Sequence, residues 1–237
     1  NLSCQTWHLL CAHNRMVFDE KRWRVSSTSP VKGSEAKKMR KRVQEQYPLV
    51  HDDQLLEMWP ASASVMVQRL QDKTAVYVIL DRPLFYASNG SKGNPDTQLH
   101  PTLYALHIAP QMINAAVVHP GLGAKIAAGV DLFMPGFVIR DAAPGQSWVR
   151  QNFGRFEEGS ACAIVEDGGW AAMAIGKWKV SADVLEFQGF KGKGMDIPHC
   201  MGDALWMSGH GKVPKDPKTS GSTALAEHAA KLEQEAV

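Results

Sequence analysis

From residue 34 to residue 47 the apolar positions recur at helical spacing. Ala36, Met39, Val43 and Tyr47 fall on one stripe at roughly 100° per residue, and Lys37, Lys38, Lys41 and Arg42 lie largely on the other side. Ser34 is the candidate N-cap and Pro48 the stop. After Trp59-Pro60 the period drops to two. Ser64–Leu70 and Thr74–Leu80, rich in Val, Ile and Tyr, read as a hairpin across Gln71-Asp72-Lys73, with Leu84–Ala87 as a third strand. Ser88-Asn89-Gly90-Ser91-Lys92-Gly93-Asn94-Pro95 is a loop, and Pro101 opens a short helix carrying Leu103, Leu106 and Ile108. A domain boundary is expected near Pro110.

Beyond it the pattern is one of short strands punctuated by glycine. Cys162–Glu166 and Trp170–Ile175 flank Asp167-Gly168-Gly169, a hairpin signal. Val180-Ser181-Ala182-Asp183 reads as a strand entering a capped helical turn. Many short strands with little helix point to a small barrel or sandwich. Ser26-Ser27-Thr28-Ser29-Pro30 marks a flexible lead-in, and from His210 onward Gly, Lys, Pro and Ser mark a tail in which Ala224–Glu235 is weakly helical. The expected order is a flexible extension over 1–30, a first domain over 31–110, a second over 111–209 and a flexible tail over 210–237.

Composition narrows the class. The chain has 237 residues, 44% hydrophobic and 21% charged, which supplies a core and argues against disorder. No apolar run reaches the ~18 residues of a membrane-spanning helix. Leu9-Leu10-Cys11-Ala12 is too short for a secretory signal. Four scattered cysteines do not form a disulfide framework, so a reducing compartment is expected. The formal net charge is only +2, but residues 15–42 carry ten Lys or Arg against three acids. A local polyanion contact follows, with Lys37 and Lys38 placed in the first helical turn, where the dipole disfavours cations.

Candidate chemistry is sparse. Cys4, His8, Cys11 and His13 are four metal-ligand types at a spacing of no common zinc finger, so no metal site is assigned. Gly121-Leu122-Gly123-Ala124-Lys125 is a glycine loop entering a helix, where free backbone N–H groups can face an anion and Lys125 adds a cation. It matches neither the Walker loop nor the dinucleotide fingerprint. No nucleophile–base motif is present, His51-Asp52-Asp53 reads as a polar loop, and Trp170, Trp178 and Trp206 as buried aromatics. No catalytic residue, metal or cofactor is expected.

The stretch His119-Pro120-Gly121-Leu122-Gly123-Ala124-Lys125-Ile126-Ala127-Ala128-Gly129-Val130-Asp131-Leu132-Phe133-Met134-Pro135-Gly136 resembles the signature of PUA domains, small RNA-binding pseudo-barrels. Ala174–Ala182 and Gly202-Asp203-Ala204-Leu205-Trp206 look like that domain's later strands. Upstream, Val31–Arg42, Glu45-Gln46-Tyr47-Pro48 and Pro101-Thr102-Leu103 with Leu106-His107 resemble the malignant T-cell-amplified sequence proteins, over about Val31 to Met207. The resemblance implies an α+β chain, an N-terminal α/β pre-PUA domain followed by a C-terminal PUA pseudo-β-barrel.

It further implies a cytoplasmic, non-enzymatic translation factor on the small ribosomal subunit, partnered by a density-regulated-protein-like chain and promoting tRNA release, recycling and reinitiation. Ligatin, a related initiation factor, holds both parts in one chain. The implied rRNA contacts are Lys37, Lys38, Arg40, Lys41 and Arg42. The implied PUA contacts are His119, Gly121, Leu122, Gly123, Ala124, Lys125, Pro135 and Gly136. The loop 88–100 and the stretch 146–158 depart from the family pattern, and Met16 falls near where its members begin. Two alternatives stand beside this: an RNA-modification accessory or enzyme, and a protein-binding adaptor using the hairpin at 64–80 as its edge.

Overall fold

The computed structural model describes residues 18–88, 98–169 and 171–213. In the first half, β1 (Val25–Pro30) leads to α1 (Gly33–Gln46) and α2 (Asp52–Met58). The strands β2 (Val65–Leu70), β3 (Ala75–Ile79), β4 (Arg82–Ala87) and β5 (His100–Pro101) and a short helix α3 (Leu103–Leu106) follow. The strands form an antiparallel sheet in chain order, β1-β2-β3-β4-β5. The helical stripe becomes the core. Met39, Val43 and Tyr47 are buried, packed with Leu55, Met58, Trp59, Val65 and Phe85.

A 3-10 turn at Pro110–Met112 leads into the second half. It contains β6 (Ala115–Val118), α4 (Leu122–Ala127), β7 (Leu132–Phe133), α5 (Trp148–Phe153), β8 (Ala161–Glu166), β9 (Ala174–Trp178), α6 (Ala182–Gln188), β10 (Lys193–Cys200) and α7 (Ala204–Ser208). Its strand order is β6-β8-β9-β10-β7, with β6 and β8 parallel and every other pair antiparallel. Trp178 anchors this core, stacked on Phe156 at 4.0 Å between ring centroids and on Phe137 at 5.7 Å. The architecture is α+β, with the second sheet curled into a half-barrel.

The two halves share one apolar cluster. Tyr104 of α3 stacks on Trp206 of α7 at 4.6 Å, and His107 Nε2 lies 2.8 Å from the Ala172 carbonyl. Phe18, fully buried, meets Tyr86 edge-on and accepts the Ala204 N–H through its carbonyl.

Several expectations are corrected by this packing. Residues 25–30 are not a flexible lead-in but the edge strand β1, pairing Ser27 with Arg69 and Ser29 with Val67. All six of its side chains are exposed, so no hydrophobic alternation betrayed it. The hairpin at 64–80 is therefore interior to the sheet and offers no edge to a partner. Ser34 does not cap α1, because the helix starts at Gly33 with Lys32, two positions earlier, at the N-cap. His51-Asp52-Asp53 opens α2, with Gln54 Oε1 accepting the His51 N–H.

The strand expected over 170–175 begins only at Ala174, since Ala172 is drawn into the shared core. Gly202–Trp206 is not a strand: Asp203 caps α7 by accepting from Trp206 N at 2.8 Å. The start of the expected tail is also tied down, because Gly211 N donates to Tyr104 Oη. The Cys4, His8, Cys11 and His13 cluster, most of the 88–95 loop, Trp170 and the Ala224–Glu235 helix lie outside the described residues.

Candidate nucleic-acid interface

Two surfaces gather the expected residues. The first is the outer face of α1. Burying Met39 and Val43 beneath the helix forces Lys37, Lys38 and Lys41 outward, all exposed, with Arg42 half-buried beside them. Among the described residues, Lys37, Lys38 and Arg42 make no ion pair. Lys41 meets Glu45 at 3.5 Å with both side chains largely exposed, a contact worth at most about 1 kcal/mol. Arg40 departs from the row. It is half-buried, and its Nε donates to the Trp59 carbonyl at 3.0 Å, so it braces α1 against the end of α2.

The second surface is the loop between β6 and α4. Gly121 adopts φ = 83°, a left-handed conformation that glycine takes without strain and that aims the following amides to one side. His119 N donates to Gly136 O at 3.0 Å, and Val118 bridges to Phe137, which brings His119, Gly121–Lys125, Pro135 and Gly136 together. A Cβ on Gly136 would lie 3.0 Å from both Leu122 and Leu132, so the close approach of the two segments depends on glycine there. His119, Lys125 and Pro135 are exposed, whereas Leu122 and Ala124 are half-buried.

The loop amides are not free, contrary to the sequence expectation. Glu166, at the end of β8, accepts from Gly121 N, and the same Oε1 lies 3.4 Å from Gly123 N. A concave set of N–H groups attracts any anion, and here the chain supplies its own carboxylate. The contact spans 45 residues of sequence, so no local signal announced it.

Two cations outside the α1 row are paired. Lys193 bridges Asp131 at 2.9 Å and Asp196 at 2.7 Å, and Lys179 meets Asp196 at 3.1 Å. Bonding to Asp196 and then Asp131 holds the Lys193 ammonium above its ordinary pKa, and the same lysine holds Asp196 below its own. These cations are neutralised internally, unlike the α1 row. Both described cysteines, Cys162 and Cys200, are buried, and burial pushes the Cys162 thiol up, away from the thiolate. Among the described residues no group of three or more His, Cys, Asp or Glu is placed to hold a metal ion. No helix among them is long and apolar enough to cross a membrane.

Comparison with known proteins agrees with this division. Residues 19–110 match the pre-PUA-like domain family and residues 113–204 the eIF2D PUA domain. Rat eukaryotic translation initiation factor 2D is 29% identical over 198 residues, covering 82% of this chain. The chain spans 32% of that protein's length. Zebrafish malignant T-cell-amplified sequence 1 is 26% identical over 189 residues, covering 80% of this chain and 94% of its own. In fold, the chain is similar to a conserved PUA domain protein from Thermoplasma acidophilum, with a TM-score of 0.52 at 21% identity, covering 79% of this chain and all of that one.

Proposed function

We propose, from the premise that the chain is a pre-PUA–PUA protein related to initiation factor 2D and the malignant T-cell-amplified sequence proteins, that it works as a non-enzymatic RNA-binding translation factor. The observation that carries this reading is the α1 row. Among the described residues Lys37, Lys38 and Arg42 have no ion-pair partner and Lys41 has a weak one, and the row is held toward the outside because the apolar stripe beneath it is buried in the core. Such a row neutralises RNA phosphates and releases their counterions, which gives sequence-tolerant and steeply salt-dependent binding.

The RNA is the rRNA of the small ribosomal subunit, which α1 holds while the PUA domain meets tRNA. A density-regulated-protein-like chain is the partner. The outcome is tRNA release, followed by recycling or reinitiation in the cytoplasm. Chemistry is positional here: the protein fixes one RNA relative to another and makes or breaks no bond. Lys125 and His119, exposed beside the glycine loop, support the tRNA contact. Arg40 contributes by bracing α1.

Sedimentation with purified small subunits across a salt series, with and without the partner, tests this. Co-sedimentation at low salt that falls steeply as salt rises, and strengthens with the partner, is expected. Absence of the protein from the subunit fractions at every salt concentration would overturn the reading. So would base modification of tRNA or rRNA by the pure chain, which would make it an enzyme.

A further inference from the structure

A groove of about 610 Å³ opens beside His119 and falls within the size range of small-molecule sites. Its floor is Phe137, 1% exposed, and its walls include the half-buried rings of Trp148 and Phe190, set edge to face at 6.0 Å. Arg140 and Asp141 are also in the lining, both exposed and neither in an ion pair among the described residues. The walls are fixed by hydrogen bonds that no helix or sheet requires. Asn152 Oδ1 accepts from Arg140 N at 2.8 Å, while Asn152 Nδ2 donates to Arg140 O at 2.9 Å and Trp148 O at 2.8 Å. Gln151 Nε2 holds Asp141 O at 3.0 Å. On the Trp148 side, Val149 N donates to Glu186 of α6 at 3.2 Å. Gly189, at φ = 73°, ends α6 and turns the chain into Phe190.

We propose that this groove takes one unpaired nucleotide of the bound RNA, with its base against Trp148 and its phosphate on Arg140. The inference rests on the RNA-binding reading above and names the ligand class of its PUA side. A nucleotide offers the three chemistries that the lining asks for: a π-face for the aromatic walls, an amino or hydroxyl donor for Asp141, and an anion for Arg140. An apolar peptide would use the rings and leave both charges without a partner. Pre-formed walls fit a base already free of its stack, so the ligand is single-stranded. Phe187, 94% exposed on the helix that leads to Phe190, adds a further aromatic surface next in sequence.

The test measures fluorescence anisotropy of the full chain with a labelled, unstructured RNA of eight nucleotides and with the same strand made abasic. The abasic strand keeps every phosphate and loses every base. Wild type should favour the base-bearing strand about tenfold. Trp148→Leu should remove that preference while leaving abasic binding unchanged. Arg140→Gln should weaken both strands equally and lower the salt slope by about 0.7, one phosphate's worth. Phe190→Leu, whose ring packs edge-on against Trp148 in the same lining, gives a second route to the same loss should Trp148→Leu fail to fold. A base preference that survives both wall variants overturns the proposal. Equal binding of the two strands by wild type also overturns it and leaves the charge-based reading intact. Failure to bind either strand overturns both.

Discussion

Replacing Glu166 by alanine separates what the glycine loop does for stability from what it does for RNA. In the structure one carboxylate oxygen accepts from Gly121 N and sits 3.4 Å from Gly123 N, while the side chain is only half-buried. A hydrogen bond to a charged group contributes about 1.5–3 kcal/mol where it is protected. The second contact is long and Gly121 is exposed, so water can replace part of the loss, and about 1–3 kcal/mol in all is expected. For a chain of 237 residues that corresponds to a fall in melting temperature of roughly 2–12 °C.

RNA affinity should move the other way. The variant removes a negative charge from the loop that leads to exposed Lys125 and leaves two amides without an anion, so binding at low salt should strengthen several-fold. Scanning calorimetry and anisotropy on the same preparation read both effects. A melting temperature unchanged within about 1 °C, below the roughly 2–12 °C expected, would show that the carboxylate does not hold the loop. Weaker RNA binding at unchanged fold would show that it serves the ligand rather than competing with it.

Other outcomes follow from buried groups. Asp203, 2% exposed, accepts from Cys200 N at 3.0 Å and Trp206 N at 2.8 Å and meets His199 Nδ1 at 2.7 Å, so Asp203→Ala should cost about 3–5 kcal/mol by chemical denaturation. Gly194→Ala should destabilise by about 1–3 kcal/mol, because its Cβ would sit 2.7 Å from the Phe137 ring and 2.9 Å from Met134 Sδ. Stability should fall with acid. Burial, with Lys177 adding to it, holds the His100 ring at about 4, below its ordinary 6.5, so the unfolded chain binds the proton first. The contribution is fully present above pH 6.5 and is lost as pH falls from there to about 4; burial acts on His107 with the same sign. Denaturation midpoints across that window check this, and His100→Phe should flatten the profile.

Legibility tracked sequence distance. The α1 stripe could be read because its period is local and its buried side chains are large, and the strands after Trp59 because β2 alternates and β3 is rich in Val, Ile and Tyr. The glycine loop was legible as a shape, since Gly121 is needed for its left-handed backbone and Gly136 for the close approach of Leu122 and Leu132, but its occupant was not, because Glu166 arrives from a different strand. Edge strand β1 was hidden for the opposite reason: with every side chain exposed, nothing in its composition distinguishes it from a linker. Arg40 looked identical to its basic neighbours and differs only because the Trp59 carbonyl lies within its reach. Trp148, the groove's wall, lies in a stretch without clear periodicity; only Ser147, capping α5 through Arg150 N, gave a local sign of order there.

The salt dependence of RNA binding tests the central claim most directly. Lys37, Lys38, Lys41 and Arg42 are replaced together by Gln, Met39 and Val43 are left in place, and the logarithm of the binding constant is plotted against that of salt for variant and wild type. With four phosphates no longer neutralised, the slope should flatten by about 3 while the melting curve stays unmoved. An unchanged slope at unchanged stability would contradict the account, and the α1 row would then be no more than a solvated helix face.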